Sequence, residues 1–177
     1  MGADRGIHVH WEERFPDGET VAGLLATAIE ADGKPDLVLT GKLSVDTEGG
    51  QMPYRLAEAL GMPVINEVVG LTLEEDTAVI RRDLGGAREV YRAALPCVVG
   101  AAKGLNEPRY PKLPDIMKAK KKEIRREEPD TSAEAPLCAL TGLSAVPDRS
   151  GATMLEGDAK ASVEALVRIL RDEEKVI

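Results

Sequence analysis

Six consecutive residues, Asp46-Thr47-Glu48-Gly49-Gly50-Gln51, place a glycine-containing backbone where it could hold a phosphate. They lie between a compact apolar run and the start of a helical pattern. There, backbone N–H groups and the positive end of a helix dipole attract anions. The spacing is neither GxGxxG nor a Walker loop, and a purely structural glycine turn would use the same residues. His8 and His10 alternate along a short apolar run, the spacing that puts two imidazoles on one face of a strand. No nearby Cys, His or acidic cluster completes a ligand set with them, so no metal site is expected. No Ser, His and Asp constellation presents itself, and no catalytic residue is assigned.

Cys97 and Cys138 stand far apart and outside any CxxC pattern, which suggests neither a disulfide framework nor zinc. Cys97 lies in the apolar run Leu95-Pro96-Cys97-Val98-Val99 and is expected to be a buried, inert thiol. The basic run Lys118, Lys120, Lys121, Lys122, Arg125 and Arg126 is followed by acids and has no interleaved aromatics. It reads as a solvated face or as a docking surface for an acidic partner, not as a nucleic-acid patch.

The elements that must position these groups follow from periodicity. Asp17 to Asp32 carries Val21, Leu24, Leu25, Ala28 and Ile29 at helical spacing, stopped by Gly33 and Pro35. Asp36 to Thr40 is expected to be a strand buried on both faces. Pro53, Leu56, Ala57 and Leu60 predict a helix from Met52 to Leu60, ended by Gly61. Further strands are expected over 63–69, 76–82 and 87–95, the last two as a hairpin across Gly85-Gly86, with another apolar run over 95–100. Ile7 to Val9 reads as a strand entered without a covering helix before it. Residues 103–128 lack sustained apolar periodicity and read as an arm, and 128–148 as an extended connection. A last helix begins near Asp158, with Ala161, Val163, Leu166, Val167, Ile169 and Leu170 as its stripe. Strands alternating with helices make an α/β domain.

Composition narrows the partners. With 23 Lys and Arg against 31 Asp and Glu, the net charge of -8 opposes nonspecific nucleic-acid or membrane-surface binding. Five aromatic residues are too few for a base-stacking surface, and the core must be aliphatic. No uninterrupted apolar stretch approaches the roughly 18 residues of a membrane span, and no secretory signal opens the chain.

The stretch from Leu105 to Lys122, reading LNEPRYPKLPDIMKAKKK, closely resembles the signature of electron transfer flavoprotein beta subunits. Thr40-Gly41-Lys42 with Asp46 and Gln51, then Gly85-Gly86, Glu89, Leu95 to Val99 and the final Lys175-Val176-Ile177, resemble that family in the same order. The resemblance implies an adenine-nucleotide-binding, parallel-sheet (Rossmann-like) α/β domain with an extended arm and a terminal helix. The expected divisions are 1–104 for a partial nucleotide-binding domain, 105–150 for the recognition loop and partner-wrapping arm, and 151–177 for a helix packing back on a domain.

It also implies an electron carrier, not an enzyme in its own right. The chain would pair with an alpha subunit whose FAD takes electrons from dehydrogenases, such as acyl-CoA dehydrogenases, and passes them to an acceptor such as a membrane quinone oxidoreductase. A second nucleotide, AMP or another FAD, would sit at the beta site, with Asp46, Gly49, Gly50 and Gln51 on its loop. Leu113 would be an apolar docking anchor, steered by Lys118, Lys120 and Lys121. The alternative for Leu113 is packing on its own domain. A cytoplasmic location, or the mitochondrial matrix in a eukaryote, and no direct membrane insertion go with this reading.

Relatives begin well before Met1, so a front-truncated sheet is expected. Met52-Pro53, Arg82 and Leu84 depart from the family's usual residues. A stand-alone adenine-nucleotide sensor, or an inactive truncated remnant, is the competing reading.

Overall fold

The structure is a computed structural model that describes residues 2–11, 16–129, 137–138, 140–148 and 151–177. It divides into two compact units, Met1–Leu140 and Thr141–Ile177. The first holds strands β1 (Gly6–Val9), β2 (Leu37–Gly41), β3 (Val64–Glu74), β4 (Thr77–Asp83), β5 (Arg88–Ala94), β6 (Cys97–Ala101) and β7 (Ile124–Glu127). Its helices are α1 (Gly18–Asp32), α2 (Met52–Leu60) and α3 (Leu113–Ala119). The second unit contains α4 (Ala159–Arg168), capped by the Asp158 side chain, which continues into a π-helical turn over Ile169–Glu173.

The main sheet has the order β2-β6-β3-β4-β5. Strands β2, β6 and β3 run parallel, whereas β4 pairs antiparallel with β3 and with β5. The α/β class expected from the sequence is therefore present, with a mixed sheet. Strand β6 lies between two parallel neighbours and contacts α2, so Cys97, Val98, Val99 and Gly100 are all buried. Val68, Ala78, Ile80, Ala93, Cys97 and Val99 form the aliphatic core cluster. Burial raises the pKa of the Cys97 thiol and leaves little thiolate to react.

Strand β2 differs from expectation. It is expected to be buried on both faces, but among the described residues it is an edge of the sheet and Leu39 is 58% exposed. A short apolar run cannot by itself distinguish a central strand from an edge strand, because edge position depends on which other strands pair beside it. Residues 103–128 also differ. Within that stretch, read as arm, Leu113–Ala119 is helical and Ile124–Glu127 pairs in parallel with β1, from Gly6 opposite Ile124 to Val9 opposite Glu127. The expected opening strand therefore exists, but in a two-stranded sheet outside the main one.

Helix α1 buries Ala22, Ala26, Ala28 and Thr20, while Val21, Leu24 and Leu25 are half-buried. Small side chains at i and i+4 let α1 approach α2, which it contacts, more closely than leucines would. Helix α2 runs over the predicted residues. Pro53 sits in its first turn, and Gly61 closes it at φ 63°, with Gly61 N donating to Glu58 O (3.1 Å) and Met62 N to Ala57 O (2.9 Å).

Asp17 caps α1 and also fastens residue 138: Oδ1 accepts from Thr20 N (2.8 Å) and Oδ2 from Cys138 N (3.0 Å). These bonds, the Thr20 amide first, hold its carboxyl at about 2, below the ordinary 3.8. A depressed folded-state pKa stabilises the fold above pH 3.8, and that contribution is lost as pH falls through about 2. Asp17→Asn should therefore flatten the stability profile across that window relative to wild type, measured by urea unfolding at stepped pH. Identical profiles would show that the cap carries no charge-dependent stability.

Candidate functional site

The loop from Lys42 to Gln51 leaves the carboxyl end of β2 beside the carboxyl end of β6, where Lys42 N donates to Ala101 O (3.1 Å). Ligands of open α/β sheets bind outside these strand ends. The loop is stitched internally: Glu48 N donates to Ser44 O (3.2 Å), Ser44 Oγ and Thr47 Oγ1 lie 2.7 Å apart, and Thr47 N donates to Asp46 Oδ1 (2.9 Å). The Ser44 hydroxyl, with the Thr47 amide and its own, holds the Asp46 carboxyl below the usual carboxylate range. An ionised carboxylate repels a phosphate, so Asp46 shapes the loop and is suited to accept from a sugar hydroxyl, not to bind an anion.

Gly50 adopts φ 62°, and a Cβ there would meet no heavy atom within 4 Å, so its backbone is open to a ligand. Gly49 is exposed, the nearest heavy atom to such a Cβ being Thr47 Oγ1 at 3.8 Å. Gln51 precedes α2 without capping it by a side-chain bond. Its Oε1 accepts instead from Arg55 Nε (3.1 Å) and Nη2 (3.0 Å), and Arg55 pairs with Glu19 of α1. The Gln51 oxygen is thereby committed, and its NH2 is the group left to donate. Just before the loop, the Thr40 hydroxyl is buried without a hydrogen-bond partner. An uncapped helix start, a glycine backbone without obstruction and an orphaned hydroxyl fit a phosphorylated ligand such as a nucleotide.

The residues expected to dock a partner gather around α3. Leu113 opens the helix at 73% exposure, after Lys112 in extended conformation and before Pro114 in the first turn. Tyr110, Ile116 and Met117 are exposed with it. Lys118 lies in the last turn, Lys120 caps the helix, and Lys121 follows, all exposed. A groove of about 730 Å3 beside α3 is lined by Arg5, Lys112, Lys118 and Lys122 together with Asp115 and Glu123. Most of the Leu113 side chain is therefore open to solvent. In a chain of net charge -8, this is a local basic surface with an apolar centre.

Other sequence candidates lie elsewhere. The His8 and His10 rings stand edge to face, 6.1 Å apart, and His10 Nδ1 is 3.0 Å from Glu128 Oε2. Among the described residues no group of three or more His, Cys, Asp and Glu side chains converges as a metal site would require. Cys138 is exposed and unpaired with Cys97. No helix among the described residues is long and apolar enough to cross a membrane.

Sequence reasoning gave Thr40 and Asn66 no place in the site. Asn66 is 6% exposed and its Nδ2 donates to Lys42 O (3.3 Å) at the root of the loop. The one signal for it was the polar pair Asn66-Glu67 interrupting an apolar strand run.

Comparison with known proteins accounts for most of the chain. The family model "Electron transfer flavoprotein domain" matches residues 1–132. The electron transfer flavoprotein subunit beta of Bacillus subtilis (strain 168) is 35% identical over 185 aligned residues, covering 100% of this chain and 71% of its own length. The protein of the same name from Dictyostelium discoideum is 34% identical over 97% of this chain and 66% of its own length. The human one is 43% identical over 73% of this chain and 51% of its own length, so the match spans only about half of that relative. A domain match over 132 of 177 residues, joined to end-to-end similarity with a bacterial relative, places this chain in the electron transfer flavoprotein family, among its beta subunits.

Proposed function

We propose that the chain is the nucleotide-binding and partner-docking half of a two-subunit electron carrier. The observation that carries this reading is the exposed Leu113, Ile116 and Met117 on α3 ringed by lysines, an arrangement that a stand-alone nucleotide sensor does not need. The partner it joins is an alpha subunit. FAD held in that heterodimer supplies the electron acceptance and release, and this chain catalyses no bond chemistry of its own. Its residues do three things: they bind a second nucleotide, they select the donor, and they cover the partner.

Nucleotide binding falls to the Lys42–Gln51 loop, with Gly49 and Gly50 offering backbone N–H groups, Gln51 its NH2 and Asp46 the loop's shape. AMP or a second FAD is the ligand. Donor selection falls to Leu113 as anchor, with Lys118, Lys120 and Lys121 steering an acidic face of a dehydrogenase such as an acyl-CoA dehydrogenase. The acceptor is a membrane quinone oxidoreductase or its equivalent, and the compartment is the cytoplasm or mitochondrial matrix. Residues 105–150 carry the recognition loop and the partner-wrapping arm. In the second unit the exposed Leu143, Val146, Met154 and Val163 supply apolar surface for the alpha subunit.

Calorimetric titration of AMP and of FAD into the chain reconstituted with its alpha subunit tests the loop. Gly50→Val puts a β-branched residue at φ 62°, which costs about 1–2 kcal/mol in backbone strain alone and crowds the approach of a phosphate. AMP affinity should fall about tenfold, equivalent to about 1.4 kcal/mol. Unchanged affinity for both nucleotides would remove this loop from the site.

A further inference from the structure

Strand β3 is parallel to β6 at Val64 and Ile65, loses register, and resumes at Val68. The two residues in the gap are Asn66 and Glu67, and Glu67 takes the left-handed conformation at φ 62°, which a bulky side chain adopts only when its surroundings enforce it. Asn66 provides that enforcement. Its Oδ1 accepts from Glu67 N (2.9 Å), and its Nδ2 reaches across to Lys42 O (3.3 Å). Its carboxamide rests on Gly100 of β6. A Cβ at position 100 would overlap Asn66 Oδ1 and stand 2.8 Å from its Cγ, so glycine is required for this arrangement. The Lys42 backbone is consequently held at both of its polar groups, its N–H by Ala101 O (3.1 Å) and its carbonyl by Asn66. Lys42 Nζ also stands 3.9 Å from Glu67 Oε1.

We propose that Asn66, seated on Gly100, is a positioning residue for the nucleotide loop: it fixes the direction in which residues 43–51 leave β2 and so preorganises them for the ligand. This rests on the reading of Lys42–Gln51 as the nucleotide loop. A buried carboxamide is costly unless both of its ends are bonded, and an apolar side chain would fill the bulge without that cost. What the carboxamide adds is the link to Lys42 O, and this link binds the core of the sheet to the loop. A loop held in its binding conformation spends less entropy on ordering when the ligand arrives.

Two variants separate positioning from mere packing. Asn66→Ala removes the link and leaves a small void, and the double variant Asn66→Ala with Gly100→Ala fills the space with a methyl group, the nearest remaining neighbour being the position 66 Cα at 3.2 Å. The full chain, reconstituted with its alpha subunit, is titrated with AMP and with FAD. Amide hydrogen exchange is followed over residues 43–51 and over β6, and thermal unfolding is recorded.

The double variant should unfold nearer the wild-type temperature than Asn66→Ala does, yet both should bind the nucleotide about five- to tenfold more weakly and exchange faster at 43–51, with β6 unchanged in Asn66→Ala. Wild-type affinity and wild-type loop exchange in the double variant would overturn the positioning role while leaving the nucleotide loop standing. Affinity that recovers together with stability would make Asn66 a packing residue, which also overturns it. If the wild-type assembly, with the alpha-subunit site already filled by FAD, binds neither AMP nor a further FAD, the nucleotide reading fails and the positioning role with it.

Discussion

Truncating Leu113 to Ala should slow electron uptake from a partner dehydrogenase roughly five- to 150-fold at limiting carrier concentration, the loss of about 1 to 3 kcal/mol expected for one buried aliphatic anchor. Pairing with the alpha subunit and cofactor content should not change, because Leu113 is 73% exposed in its own unit. The expected concentration of effect has a geometric cause. Leu113 is preceded by an extended residue and followed by Pro114 in the first turn of α3, so its backbone is ordered before any partner arrives and docking costs little further entropy. In a small transient interface a few such residues carry most of the binding energy. Reversing the charges of Lys120 and Lys121 should act differently, lowering the association rate chiefly at low ionic strength, as screened steering does. Steady-state flavin reduction of the heterodimer across carrier and salt concentrations distinguishes the two. Wild-type rates for Leu113→Ala throughout that range would mean that the exposed leucine anchors nothing.

Ile80→Ala should destabilise the chain by about 2–5 kcal/mol, a large part of the roughly 5–15 kcal/mol that holds a typical domain folded. Ile80 is 0% exposed and sits mid-strand in β4, opposite Leu71 of β3 and Tyr91 of β5. It packs in the core cluster with Val68, Ala78, Ala93, Cys97 and Val99. Most of its neighbours are strand residues held by ladders on both sides, so they cannot collapse into the space that truncation leaves. A rigid lining places the cost toward the upper part of that range. Urea unfolding should show a lower midpoint with an unchanged slope, the signature of lost stability without altered compactness. A midpoint shift worth under about 0.5 kcal/mol, the range of ordinary surface substitutions, would mean that the β3-β4-β5 register is not as described. The two truncations bracket the molecule: one residue is expected to matter for transfer and not for stability, the other for stability first.

The local elements were legible because their signals are local. Asp17 before a helical stripe, Pro53 and Gly61 around a short helix, and Gly85-Gly86 between alternating runs each encode a backbone conformation in residue types that prefer it. Burial of Cys97 was legible for the same reason, as part of an apolar run. Short elements without such signals were not. Helix α3 has seven residues and buries none of them, so no apolar stripe announces it. Strand β7, Ile124-Arg125-Arg126-Glu127, is mostly charged and forms because β1 offers it a ladder.

By itself, then, the sequence determined the helix caps, the hairpin, the aliphatic nature of the core and, through the stretch from Leu105 to Lys122, the family. Tertiary structure decided what depends on neighbours distant along the chain. It made β2 an edge strand with Leu39 exposed, removed β1 from the main sheet, and buried the alanines of α1 more deeply than its leucines. It also brought Asn66 onto Gly100 and beneath Lys42, residues 34 and 24 positions away along the chain. Propensity and periodicity act over a few residues, whereas edge position, close packing and a buried polar link are properties of pairs that only the folded chain brings together.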